Sequence, residues 1–380
     1  MKKYFIIAVA ALIASVACTK TEKAPEADQL IPVTFQVANY EAQTKATSLL
    51  SESISSFQSQ AFLHAQGVDL TSEGAVNGTS YQNFFMSASP WVETVSWDAS
   101  AKQWAPAATY YWPKGSQSFV NFVSWYNGGG ANPTISYAYT ASKWTVSLNW
   151  TKSSIAANEN LLYADVAWRQ NANLSTYHID DASVVGVPTL FHHALSQVNL
   201  KAYVNNAAGD LTLSSNLPAD SNTKWTVTIK NVAIGSVAVG GTLSMTNADP
   251  GSKTTQAWTS SGWTSPVSGS LTNSSNVSAN TITKNTAVDV LANQSVIPQS
   301  LSGVKLTFDV DIVATYNNGT THHEVLSQEV DMSTFGPGTW AENTKYTYYI
   351  KIDPSQNEVL YDPAVESDWT EYSPAPEQTI

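Results

Sequence analysis

The side chains of this sequence that could do chemistry are few, and their spacing argues against the usual uses. Two adjacent histidine pairs occur, His192-His193 and His322-His323. Neighbours in a strand point to opposite faces, so neither pair can grip one metal ion by itself. No glutamate-containing zinc motif surrounds them and no cysteine lies nearby. His322-His323 follow the turn "YNNGT" and are expected as solvated hairpin residues, whereas His193 in "FHHALSQV" is expected to be packed or hydrogen-bonded. Asp309 and Asp311 share the polar side of an alternating strand, where solvation is their simplest role. No G-x-S-x-G elbow is present to expose a nucleophile, and "NGGG" at 127–130 is a turn rather than a phosphate loop. Neither catalysis nor a metal or cofactor is expected.

One thiol remains. Cys18 is the single cysteine of 380 residues, so it can join no disulfide within the chain. Lys2 and Lys3 form a positive head before it, and Tyr4 to Ala17 are almost wholly apolar and end in small residues. That is the layout of a secretory signal peptide, here residues 1–17, with an apolar run too short to span a bilayer. Ser15-Val16-Ala17-Cys18 is similar to a bacterial lipobox, although Ser15 occupies the position where leucine is usual. Cleavage between Ala17 and Cys18 would leave a cysteine able to carry a diacylglycerol. Fatty chains hold a soluble domain to a membrane because each buried methylene contributes about 0.8 kcal/mol. Cys18 is therefore expected to be an anchor, and the protein an exported outer-membrane lipoprotein at the cell surface. Residues 18–30, polar and charged from Thr19 to Asp28, read as a flexible tether.

The elements that would carry any site are strands. The chain is rich in Thr, Ser, Asn, Val, Trp and Tyr, and only 13% of it is charged. In "KWTVSLNW" Trp144, Val146, Leu148 and Trp150 fall on one face, as do Trp225, Val227 and Ile229 in "KWTVTIK". The same alternation sets Val304, Leu306, Phe308, Val310 and Ile312 on one side, and likewise Tyr346, Tyr348, Ile350 and Ile352. A period of two marks half-buried strands, so an all-β fold of antiparallel sandwiches is predicted. The length suggests two domains, with a boundary near Asp180 to Gly186, giving residues 31–185 and 186–380. Residues 248–280, poor in apolar positions, read as a long loop or a ragged edge hairpin. A net charge of −12 and a single arginine, Arg169, leave no basic surface for nucleic acid. The thirteen tryptophans admit two uses: stacking on sugar rings at a glycan-binding surface, or filling cores. Trp258 and Trp263, in the Ser/Thr-rich stretch, are the two expected to be exposed.

Four stretches together resemble the fimbrillin family, the subunits of Bacteroidota type V fimbriae: "ATYYWPKGSQSFVNFVSWYN", "NLLYADV", "VPTLFHHALSQVNLKAYV", and "WAENTKYTYYIKID" leading to "DWTEY". The resemblance implies two tandem transthyretin-like sandwiches in a lipid-anchored precursor of a surface fibre or adhesin. It also implies fimbrial subunits as partners, the outer membrane as support, and a host or bacterial surface ligand where the subunit is adhesive. In such proteins a protease cuts after the first strand, and the vacated groove takes up a strand from the next subunit. Here that strand is "IPVTFQVANY", with Val33, Phe35 and Val37 facing the groove, and the candidate cut lies between Lys45 and Ala46. A surface glycan-binding lipoprotein is the alternative.

Overall fold

The computed structural model describes residues 32–39, 54–65, 86, 92–112, 118–128, 132–140, 143–153, 159–171, 186–204, 224–247, 259–273, 277–278, 287–316, 318–353 and 358–368. Ala17, Cys18, Lys45, Ala46 and Trp258 lie outside them. Among the described residues the chain is all-β, with one short 3-10 turn at Met332–Thr334.

The first strands are β1 (Phe35–Asn39), β2 (Ser56–Ala65), β3 (Glu93–Asp98), β4 (Gln103–Pro106) and β5 (Ser118–Tyr126). Next come β6 (Thr134–Thr140), β7 (Lys143–Thr151), β8 (Leu162–Ala164), β9 (Ala167–Asn171), β10 (Val187–His193) and β11 (Ser196–Val204). The later strands are β12 (Lys224–Asn247), β13 (Thr259–Asn273), β14 (Val277–Ser278), β15 (Val288–Val296) and β16 (Gln299–Ser300). The last are β17 (Lys305–Thr315), β18 (Thr321–Asp331), β19 (Thr339–Trp340), β20 (Thr344–Asp353) and β21 (Glu358–Asp368).

Hydrogen bonding in the first unit returns on itself. The sheet runs β2-β3-β4-β1-β10-β8-β5, and β5 pairs back to β2 through Trp125↔Gln58 to Ser118↔Ala65. The result is a ring rather than two separate sheets. It arises because β5 uses both edges, β2 on one and β8 with β9 on the other. The β1–β10 pairing is parallel, and every other pairing around the ring is antiparallel.

The second unit packs the sheet β15-β11-β20-β21 against β18, β17 and the first part of β12. Alternation decides which side chains meet. Val304, Leu306, Phe308, Val310 and Ile312 are all buried, as are Tyr346, Tyr348, Ile350 and Ile352. Trp340 closes one end, its indole N–H donating to the buried Tyr348 hydroxyl at 2.8 Å.

β12 joins the units. Its first half, Lys224 to Gly235, pairs with β17, and its second, Gly240 to Asn247, pairs with β7. At about 3.3 Å per residue such a strand reaches some 80 Å if straight. Its pairing with β13 is interrupted by register shifts between Gly235 and Val237 and again around Gly240, the kind of irregularity that lets a strand bend. Gly240 lies so close to β7 that a Cβ there would meet the Thr151 Cα at 2.9 Å. A separate core, with Val123, Trp125, Leu148, Trp150, Leu243 and Met245, fills the space between the outside of the ring and β6, β7 and β12.

Sheets are shared across residue 185. β10 is still part of the ring, and the chain passes to the next sheet at Ala194-Leu195. β6 and β7 leave the ring for the β12 sheet. Residues 259–273, read as a loop or ragged hairpin, form the edge strand β13 along β12.

Lys152 follows β7 and reaches β15, donating to Gln294 Oε1 at 3.3 Å and the Ser295 carbonyl at 3.2 Å. Burial lowers its pKa to about 8, while nearby Glu159 acts to raise it. An unfolded lysine keeps its proton to about 10.4, so between these values the unfolded chain binds more protons. Stability should therefore rise with pH from about 8 towards 10.5. Lys152→Met should lose this rise. Denaturant titrations of both proteins across that range check it, because their difference cancels the titration of other groups.

Candidate functional site

Val33-Thr34-Phe35-Gln36-Val37 alternates apolar with polar residues, which suits a strand with one face inward. In the structure Val33, Phe35 and Val37 are 2%, 3% and 2% exposed, while Pro32 and Gln36 lie at the surface. All three belong to the core inside the ring.

Backbone bonds hold β1 unequally. On one side Phe35 to Asn39 run in register with Val187 to Phe191, and the Val187 N–H donates to the Thr34 carbonyl at 2.7 Å. On the other side the ladder is one pair, Phe35↔Trp104, with a bridge Pro32↔Tyr111 and a bond from the Val33 N–H to the Tyr110 carbonyl at 2.8 Å. Buried Glu93 fixes that second side. One carboxylate oxygen accepts from the Ala107 N–H at 3.1 Å and the other from the Tyr110 hydroxyl at 2.7 Å.

Side-chain packing centres on Phe35. Its ring meets Phe57 edge-on at 5.6 Å and Phe122 at 5.5 Å. Phe57 in turn contacts Phe191 at 5.2 Å and Trp104 at 5.5 Å, and Trp112 packs on Phe122 at 5.7 Å. Edge-to-face pairs at these distances are favourable beyond the area they bury. These aromatic side chains come from β2, β4, β5, β10 and the residues after β4, so Phe35 plugs the centre of the ring.

The other candidate residues are dispersed. The adjacent histidines split as alternation requires. His193 is buried, with Nδ1 3.1 Å from Asn160 Oδ1, and burial pushes its pKa down to about 4. His192 stacks on Tyr163 and lies 3.1 Å from Asp165. Asp309 and Asp311 are more engaged than solvated carboxylates. Bonds from Ser327 and Asn231 hold Asp309 below the usual range, and a bond from Lys230 does the same for Asp311, which also contacts His323. His322 and His323 are exposed on β18. Among the described residues no three His, Asp, Glu or Cys side chains converge to hold a metal. Trp263 corrects the expectation of exposure: it is half-buried, donates to the Ala194 carbonyl at 2.8 Å and packs edge-on to Trp150. Four other tryptophans, Trp104, Trp125, Trp150 and Trp340, lie in cores.

A family model described as fimbrillin-like matches residues 76–369. The chain belongs to the fimbrillin-like family. A fimbrial protein from Bacteroides vulgatus shares the fold of this fimbrillin-like chain, with a TM-score of 0.52 over 89% of it and 99% of the other chain at 14% identity. The fimbrial anchor protein Mfa2 from Porphyromonas gingivalis aligns over 90% and 98% of the two chains at 10% identity and a TM-score of 0.32. No match to this sequence is found among curated proteins.

Phe35→Ala should destabilise this fimbrillin-like protein by about 3–5 kcal/mol, the range for emptying a buried aromatic site. Val267→Ala, at a side chain 45% exposed, should change it by less than about 0.5 kcal/mol. Urea denaturation followed by tryptophan fluorescence compares the two.

Proposed function

We propose that this protein is a structural subunit or adhesin precursor of surface fimbriae, anchored by lipid on Cys18, that assembles by strand exchange. In this reading a cut between Lys45 and Ala46 frees β1, and the groove it leaves accepts an extended strand from another subunit. Family membership supports the fimbrial role. The observation that carries the exchange step is the seat of β1: Val33, Phe35 and Val37 are buried in the ring, yet the strand is laddered fully on one side only. Removing it would expose open backbone donors and acceptors on β10 together with an apolar slot, and an alternating strand satisfies both.

The transthyretin-like character of both units belongs to the same proposal, as does their division near residue 185. So does delivery by the signal peptide ending at Ala17. The partners are other fimbrial subunits, the outer membrane through the lipid, and a surface ligand if the subunit is adhesive. The glycan-binding alternative loses one of its two marked residues, because Trp263 is committed to a contact within the protein.

Cys18→Ala should leave both units folded but remove the protein from the detergent phase, since Cys18 precedes the first strand. Detergent partitioning of cells expressing each form decides; equal partitioning would mean no lipid is carried. Lys45→Ala should block processing, so that the chain keeps β1, remains monomeric and stays bound to lipid. An intact strand competes at an effective concentration on the order of millimolar, which an incoming strand does not readily overcome. Intact-mass determination of the mature N-terminus, with native gels, reads both consequences. A mature chain that still begins at Cys18 in isolated fibres would exclude this route of assembly.

A further inference from the structure

The groove that β1 occupies is not uniform along its length. At its two flanks it holds Val33 and Val37, each closed over by the ring. At its middle it holds one aromatic ring in edge contact with Phe57 and Phe122. A second constraint acts on the backbone at the same level. Gly186, with φ of +125°, lies directly against β1: a Cβ there would come 3.0 Å from the Phe35 carbonyl carbon and 3.1 Å from the Gln36 nitrogen. Both the space and the backbone conformation exclude an L side chain at this position. The next residue, Val187, donates its N–H to the Thr34 carbonyl at 2.7 Å and begins the parallel register. Gly186 and Val187 thus set both the height and the register of whatever strand lies there.

We infer that the groove selects its occupant by one aromatic side chain: a strand taken up from another polypeptide carries an aromatic residue at the place of Phe35. Residues the size of valine lie two positions to either side, and the strand runs parallel to β10 with its backbone against Gly186. This rests on the strand-exchange reading and specifies its partner. The aromatic is required because the ring leaves a site bounded by rigid rings on several sides. A smaller residue would leave a void that those rings cannot close. A charged or amide side chain there would lose its hydrogen bonds to water. Register follows, because a slip of one residue would turn the whole apolar face of the strand outward.

The test uses the full chain bearing Phe35→Ala, cut between Lys45 and Ala46 so that its weakened strand is no longer tethered, with fold checked by circular dichroism. Three fluorescent peptides of residues 31–40 are added: the natural sequence, one with Phe35→Leu and one with Phe35→Ala. Anisotropy should rank them natural, then leucine, then alanine, with the first binding at least about tenfold tighter than the last. Adding Gly186→Ala to the chain should weaken capture of the natural peptide by at least about tenfold, since the strand would be lifted from its register. Should Phe35→Ala not fold, the Phe35→Leu chain is used, and the same ranking is expected. Equal capture of the natural and alanine peptides would overturn the aromatic selection while leaving strand exchange intact. Capture of none of the three by either chain would overturn exchange at this groove as well.

Discussion

A single strand, β12, constrains nearly everything else. It supplies Val227, Ile229, Val232 and Ile234 to the core of the second unit, and Leu243 and Met245 to the core beside the ring. Its two halves pair with different strands on the same side, β17 and then β7, while β13 follows the other side. At the changeover, residues 236–239, the backbone is held by β13 and by the Lys152 and Ile297 N–H groups on the Val239 and Ala238 carbonyls, and a hinge would break these bonds at a cost. The two units are therefore coupled through one continuous element. The polar anchors around it, Lys152 reaching β15 and the Trp263 N–H on Ala194, fasten the same junction from either side.

Against that stiff frame the ring of the first unit has one strand of a different kind. β1 is short, contributes inward Phe35 and Val37 next to the preceding Val33, and closes the ring with a full ladder on β10 and a single pair on β4. The weaker side is reinforced by an unusual device, a buried carboxylate, Glu93, that positions the segment carrying Tyr110. The core of the ring is thus organised around a strand that the rest of the protein surrounds but does not need for its own pairing. β2, β3, β5, β8 and β10 all bond to one another without it.

Faces were legible in the sequence and partners were not. Alternation in "VKLTFDVDI" and "KYTYYIKID" is a local property, so the inward side chains could be read from spacing alone, and they are the buried ones. Val33, Phe35 and Val37, assigned through the family resemblance, are buried as well. Ring closure depends on β5 meeting β2 across some sixty residues, and no local pattern encodes it. Strand crossing between units, in β6, β7 and β10, was hidden for the same reason. Trp263 misled because its neighbours are serine and threonine, while the groups that cover it, Ala194 and Trp150, are far away in sequence. Gly186 gave no signal either, since the demand for a missing side chain there comes from the backbone of β1.

The parallel pairing of β1 with β10 carries a further meaning. An antiparallel seat and a parallel one can bury the same side chains, but they use different patterns of backbone bonds. β1 lies along Val187 to Phe191 and runs from amino to carboxyl end the same way as β10, a direction kept by any strand that repeats its bonds. If copies were joined through this seat, the contact would be heterologous, with one surface giving and a different one receiving. Such contacts propagate without closing when their rotation does not bring the chain back on itself. The outcome is polarity: a filament whose two ends differ, one presenting an empty seat and the other an unused strand, so that growth and termination are chemically separate events.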